Sequence, residues 1–370
     1  MKVLSIFIIC IVAAAAAAWL MWQQFLNTSP SGSAEGFIYE VKPGKNLHQV
    51  ARELENLGVV KGATWFLVMA KISGQSNGLK VGEYQLSRNL RPMEVLQIIT
   101  SGKSVGRNFT IAEGLNLFEI SAAFEEHGFG TRTEFWKTVH DRAFIKELLG
   151  ENIFSLEGYL YPETYQITRY SDLRSIVRGM VERFLAVYRR SAEPLATKVK
   201  MSRHQVVTLA SIIEKETGAP EERPVISSVF HNRLAKGMML QTDPTVLYGK
   251  AVVEGHLSMN ITRADLNRPT EYNTYTRTGL PPGPIASPGE AALVAAVQPV
   301  PSDYLYFVSR NNGTHIFSKD LASHTKAVNS FQVNAEARKG KSWRDLKKAR
   351  AGVNLQKVAP NPPSSEKWVK

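Results

Sequence analysis

Cysteine is almost absent. A single one, Cys10, stands in 370 residues, and it lies in the N-terminal apolar segment. The rest of the chain therefore has neither a disulfide framework nor a Cys-ligated zinc site. A cysteine-free body remains compatible with an oxidising compartment. Also missing is a His-Glu-x-x-His helix. His231, His315 and His324 show no close spacing with acidic residues, so neither a metal nor another cofactor is expected. No Gly-x-Ser-x-Gly elbow is present, which removes one common serine-nucleophile signature. There is no internal repeat. Charge is missing altogether from Val3 to Trp22, an uninterrupted run of 20 residues. Elsewhere acidic residues are outnumbered, 33 against 45 Lys and Arg, for a net charge of +12.

The uncharged run is long enough to cross a hydrocarbon core of about 30 Å. Trp19 and Trp22 fall where interfacial aromatics belong. Lys2 precedes the run, and no Lys or Arg follows until Lys42. The positive-inside rule then predicts residues 1–2 in the cytoplasm, a transmembrane helix over 3–22 in contact with membrane lipid, and the remainder outside. A cleaved signal peptide is the other reading, because Ala13 to Ala18 offers small residues for cleavage. The run is long for that role. Ile9 stands before Cys10, where a lipoprotein signal would have a small residue.

The chain is long enough for two domains of ordinary size, and its 44% apolar content supports packed cores. Residues 23–36 read as a linker rich in Ser, Gly and Pro toward its end. Residues 37–105 read as a small β-α-α-β-α unit. Phe37–Val41 alternates as a strand, and Asn46 caps a helix with Leu47, Val50, Ala51, Leu54 and Leu57 on one face, stopped by Gly58. A helix over Ala63–Ile72, a strand over Tyr84–Leu86 and a helix over Arg91–Thr100 complete it. Residues 106–335 read as a larger mixed α+β domain, so the fold class is α+β. It opens with a strand at Phe109–Ile111 and a helix at Leu117–His127. Helices follow over Asp172–Arg189 and Pro224–Lys236, and a hairpin turns at Asn312-Gly313. Leu240 to Pro288 reads as a long irregular section. Residues 336–370 carry ten Lys and Arg against three acidic residues and read as a basic, flexible tail drawn to anionic lipid or wall polymer. With the body outside the membrane, no nucleic-acid partner is expected.

The chemistry concentrates around Ser202–Thr217. Ser202 and Gln205 have capping-box spacing, and Val206, Leu209, Ala210 and Ile213 mark one apolar face. At about 100° per residue, Lys215 points away from that face and Glu214 and Glu216 lie on its shoulders. A carboxylate in the last turn opposes the helix dipole, and apolar surroundings raise its pKa, which suits a general acid. Just downstream come Gln241, Thr242 and Asp243, then Tyr272, Asn273 and Tyr275. Tyrosine offers a flat face and a hydroxyl to a sugar ring, and Asn, Gln and Thr supply neutral hydrogen bonds. Each motif alone is ordinary turn chemistry; their crowding after the glutamate helix predicts a binding cleft. Arg233 either orients a glutamate or covers helix surface with its stem.

Several blocks in order carry a resemblance: Ala210-Ser-Ile-Ile-Glu-Lys-Glu-Thr217, Val229-Phe-His-Asn-Arg-Leu234, Leu240-Gln-Thr-Asp-Pro-Thr245, Tyr272-Asn-Thr-Tyr275 and Gly279-Leu-Pro-Pro-Gly283. Glu157-Gly-Tyr-Leu-Tyr-Pro-Glu-Thr-Tyr165 and His315-Ile-Phe-Ser318 with His324 add to it. The sequence resembles the YceG-like family of endolytic murein transglycosylases. The resemblance implies cleavage of peptidoglycan between N-acetylmuramic acid and N-acetylglucosamine within nascent strands, without water, beside the peptidoglycan synthases. It implies a LysM-like fold for residues 37–105. It places the family's essential glutamate on Glu216, with Glu214 structural or supporting. A non-catalytic wall-binding scaffold and a water-using muramidase are the rival readings.

Overall fold

The computed structural model describes residues 2–334 apart from 31–33, 218 and 259, with side chains from residue 6 onward. The basic tail expected over 336–370 lies outside the described residues. The chain divides into two compact units, Met1–Phe109 with Tyr165–Asp172, and Thr110–Thr164 with Leu173–Lys370.

The first unit begins with α1 (Lys2–Asn27), whose stretch Ile6–Asn27 is long and apolar enough to cross a membrane. The helix runs past the expected end at Trp22. Phe25 is only 6% exposed, and Trp22 packs against Trp65 at 5.7 Å between ring centroids. The last turn of α1 thus joins the core of the unit, where the sequence reads as linker and interfacial aromatic. Then follow β1 (Gly36–Val41), α2 (Leu47–Asn56), α3 (Ala63–Ile72), β2 (Gly82–Ser87), α4 (Pro92–Ser101) and β3 (Arg107–Thr110). The Asn46 side chain accepts from Gln49 N and completes the capping box of α2. Leu47, Val50, Ala51 and Leu54 are buried as the spacing predicts, but Leu57 is exposed. Strands β1 and β2 are antiparallel, with Tyr39 opposite Tyr84. Their inward residues Tyr39, Val41, Tyr84 and Leu86 close on the apolar faces of the helices.

The second unit is mostly helical. It contains α5 (Leu117–Glu126), α6 (Arg132–Val139), α7 (Arg142–Leu149), α8 (Leu173–Ser191) and the single turn α9 (Glu193–Ala196). Strand β4 (Thr164–Ile167), which from Tyr165 onward belongs to the first unit, pairs with β3. Next come α10 (Arg203–Glu216), α11 (Arg223–Ala235), α12 (Asp243–Glu254), α13 (Arg263–Asn267) and α14 (Glu290–Val297). The unit closes with the hairpin β5 (Tyr306–Ser309) and β6 (His315–Ser318), then α15 (Leu321–Val328). Mixed α+β architecture holds, with three two-stranded sheets among the described residues.

Two readings are corrected. Leu240 to Pro288 is not irregular throughout, because α12 and α13 lie inside it. Asp243 and Pro244 open α12 rather than merely making a turn, and Gly255 closes it in the left-handed region at φ 74°. Nor is α10 amphipathic. Every residue from Val206 to Ile213 is buried, since the alanine-rich α14 and α11 pack against it.

Candidate active site

Glu216 is the last residue of α10, and the chain leaves the helix at once, with Thr217 extended at φ −139° and ψ 141°. The unpaired carbonyls of that helix end disfavour an anion there. Part of the Glu216 side chain stays open to solvent. Protein packed around the carboxyl nevertheless pushes its pKa up to about 7, and the nearby Asp243 charge adds to the rise. Thr242 and the Arg233 guanidinium act in the opposite direction. The Thr242 hydroxyl is buried beside the carboxyl without completing a hydrogen bond of ordinary geometry, so it has capacity left for another partner. The result is a carboxyl that exchanges its proton near neutral pH, as a general acid that must later act as a base requires.

The surrounding residues are held from behind. Arg233, 7% exposed on α11, donates from Nε to Leu305 O at 2.6 Å and from Nη1 to Met239 O and Leu240 O, both at 3.0 Å. The same Nη1 reaches Gln241 Oε1 at 3.2 Å. Arg233 thus fastens the Met239–Gln241 segment to the β5 region. Gln241 takes a left-handed backbone at φ 53°, and its N–H donates to Thr274 O at 3.1 Å. Thr242 N donates to Thr274 Oγ1 at 3.0 Å. Asp243 accepts from the Tyr275 hydroxyl at 2.7 Å. Burial, then the Asp243 and Glu216 carboxylates, hold that phenol well above its ordinary range.

Structure separates the sequence candidates. Glu216, Arg233, Gln241, Thr242, Asp243 and Tyr275 come together. Glu214 turns to the other side of α10. Its Oε1 accepts from Arg223 Nη2 at 2.9 Å and its Oε2 from Gly289 N at 3.0 Å, with the carboxylate side chain 5% exposed. Asn273 is fully buried, and its side chain is engaged by the protein. Its Nδ2 donates to the carbonyls of Asp265, Leu266 and Arg268, and its Oδ1 accepts from Tyr275 N at 2.8 Å. It shapes the turn that presents Tyr275. Tyr272 stands against Tyr248, 4.8 Å between ring centroids, rather than against Glu216.

Three residues to which the sequence reading gives no site role, Tyr306, His324 and Glu157, also lie in this unit. Arg233 lies over the ring of Tyr306 at 5.1 Å, and His324 stacks on the same ring at 5.0 Å. Burial and the Arg233 charge lower the His324 pKa. Glu157 is 1% exposed. Its Oε2 accepts from Leu117 N at 3.0 Å and from Tyr248 OH at 2.8 Å, while Oε1 has no partner. Burial pushes the Glu157 pKa up to about 7 as well. The Glu157–Tyr248 bond anchors the middle of α12, whose first turn carries Asp243. His315 pairs with Glu222 at 2.6 Å, and His231 bonds Ala296 O at 2.8 Å. Among the described residues no three His, Cys, Asp or Glu side chains converge as a metal site would need.

A membrane-length helix precedes a mixed α+β body, and that body carries Glu216, a partly open carboxyl whose pKa is raised to about 7. The sequence matches the YceG-like family over residues 39–330. It is 33% identical over 333 residues to a Bacillus subtilis protein named endolytic murein transglycosylase, covering 85% of this chain and 90% of that one. A Streptococcus pneumoniae protein of the same name is 29% identical over 324 residues; there the match covers 78% of this chain and 57% of that longer one. The crystal structure of a YceG-like protein of Listeria monocytogenes superposes with a TM-score of 0.54 at 35% identity, covering 80% of this chain and 99% of that one. The chain belongs to the YceG-like family.

Proposed function

We propose that this protein is an endolytic murein transglycosylase in which Glu216 is the acid and base. The observation that carries the reading is a carboxyl whose pKa is raised to about 7, set among Thr242, Asp243, Arg233 and Tyr275. Protonated Glu216 donates to the glycosidic oxygen between N-acetylmuramic acid and N-acetylglucosamine, and the C1–O bond breaks. The Glu216 carboxylate then removes the proton from the sugar's own C6 hydroxyl. O6 closes on C1 to give a 1,6-anhydro end. No water enters, so the paired-carboxylate arrangement of ordinary glycosidases is not required. Arg233 and Thr242 steady the carboxylate in the second half of the cycle, and Asp243 favours its reprotonation. Gln241 and Tyr275 supply contacts to the sugar; Glu214 supports the end of α10 through Arg223.

The β-α-α-β order and antiparallel β1–β2 pairing support a LysM-like, glycan-binding role for residues 37–105, with 106–335 as the catalytic domain. The charge asymmetry around α1 supports a cytoplasmic N-terminus and an extracytoplasmic body. Such an anchor puts the enzyme beside nascent strands and the synthases that make them, where cleavage ends strand growth. Glu216→Gln tests the assignment: anhydro products from purified glycan strands should vanish while the circular dichroism spectrum is retained. Anhydro ends from that variant at the wild-type rate would refute it.

A further inference from the structure

Glu157 is a buried carboxyl to which the cleavage cycle gives no step. Both of its hydrogen bonds to Leu117 and Tyr248 fall on one oxygen, Oε2, while Oε1 completes none among the described residues. The Gly158 N–H and the Glu119 carboxylate are the other groups that act on it. Enclosed in this way, it has no path for passing a proton to a sugar. Its two bonds instead join distant elements. Leu117 is the first residue of α5, and Tyr248 lies in the middle of α12. The Tyr248 ring stands 6.2 Å from Phe118 of α5 and 4.8 Å from Tyr272, between ring centroids. Thr242 caps α12 six residues before Tyr248, about 9 Å along the axis at 1.5 Å per residue. Thr274 Oγ1 meets both Thr242 N and Thr245 Oγ1, at 3.0 and 2.8 Å. Helix α12 and the Tyr272–Tyr275 turn therefore move as one body, and Glu157 ties that body to α5. Thr242, Asp243 and Tyr275, which surround Glu216, all belong to it. An apolar contact would also hold the helices together. A hydrogen bond to a buried carboxyl fixes direction and distance as well.

We propose that Glu157 is a positioning residue for the cleavage reaction: through Tyr248 it holds the first turn of α12 against Glu216, which keeps that carboxyl dry and its partners in place. This rests on the reading of Glu216 as the acid and base. Without the tie, α12 eases away and water reaches Glu216. Burial is the largest cause of the raised Glu216 pKa, so the pKa falls toward 4.5, although the opposing Thr242 contribution weakens with it.

The test follows anhydro-end formation from purified glycan strands by the full-length chain in detergent, with kcat, KM and the pH dependence of kcat/KM as readouts. The high-pH limb reports the proton on Glu216 of the free enzyme. Tyr248→Phe keeps the ring and removes the hydroxyl. It should lower kcat about tenfold, the effect of one hydrogen bond to a buried carboxyl, with KM little changed. Its high-pH limb should move to lower pH. Glu157→Gln keeps one oxygen that can accept from both donors, so it should stay within about twofold of the wild type with the limb in place. A wild-type rate and profile in Tyr248→Phe would overturn the proposal. So would a lower rate with an unmoved limb, which marks a loss of folded protein alone. Glu157→Gln as inactive as Glu216→Gln would also overturn it, and would make Glu157 an acid or base in its own right. No anhydro ends from the wild type would bring down the transglycosylase reading, and this inference with it.

Discussion

Glu216→Gln should do two opposite things, and the second follows from physics rather than family. The amide is nearly isosteric but cannot ionise. In the folded wild type the carboxyl keeps its proton up to about pH 7, while in the unfolded chain it releases it near the ordinary 4.5. Between those values the folded state holds more protons, so wild-type stability falls as pH rises. The ceiling on that loss is about 3 kcal/mol at ~1.4 kcal/mol for each pH unit. Partial exposure of the side chain reduces it to roughly 2 kcal/mol. For a unit of this size that corresponds to roughly 4–8 °C in Tm. The variant should therefore match the wild type at pH 4.5 or below and melt higher at pH 8.5. Glu157 titrates in the same window but is present in both proteins, so it cancels in the difference. Calorimetry or thermal circular dichroism at the two pH values measures the effect. A shift of the same size at both pH values, or a more stable wild type at pH 8.5, would refute the claim that Glu216 is held against ionisation.

Three further outcomes follow from the packing. Arg223→Ala leaves the nearly buried Glu214 carboxylate with only Gly289 N, and should cost about 3 kcal/mol at neutral pH by denaturant titration; adding Glu214→Gln should recover part of that loss. Gly158→Ala should destabilise the second unit and lower its Tm, because the backbone sits at φ 81° and the new methyl would lie 2.5 Å from Pro284 Cβ. Asn46→Ala removes the capping box of α2 and should cost about 1 kcal/mol, read by denaturant titration.

Local signals were legible wherever the chain carries its own punctuation. Asn46 and Ser202 cap their helices as their spacing predicts, and the hairpin turns near Asn312-Gly313. What escaped depends on neighbours distant in sequence. The α10 pattern reads as one apolar face, but α14 supplies a second buried side, so helical projection places the glutamates poorly. Helix α12 hides behind Gly249 and the β-branched residues Thr245, Val246, Val252 and Val253, which have low intrinsic helix propensity. Gly249 is there for contact, since an added Cβ would lie 2.4 Å from Thr270 Oγ1. Glu214 and Glu216 end in different surroundings because of partners distant from the α10 pattern, Arg223 beside Glu214 and Thr242 beside Glu216. Asn273 reads as a sugar ligand because its amide is versatile; in the fold that amide donates to three backbone carbonyls that no local pattern announces. Tyr306 and His324 enter only through the hairpin and α15, and no local motif joins them to Glu216.

The most direct test of non-hydrolytic cleavage by Glu216 is digestion of purified glycan strands in water enriched in heavy oxygen, with the new ends weighed by mass spectrometry. The account predicts 1,6-anhydro ends that lack one water and carry no heavy oxygen, and none of these ends from Glu216→Gln. Reducing ends carrying one heavy oxygen would contradict it and identify a hydrolase.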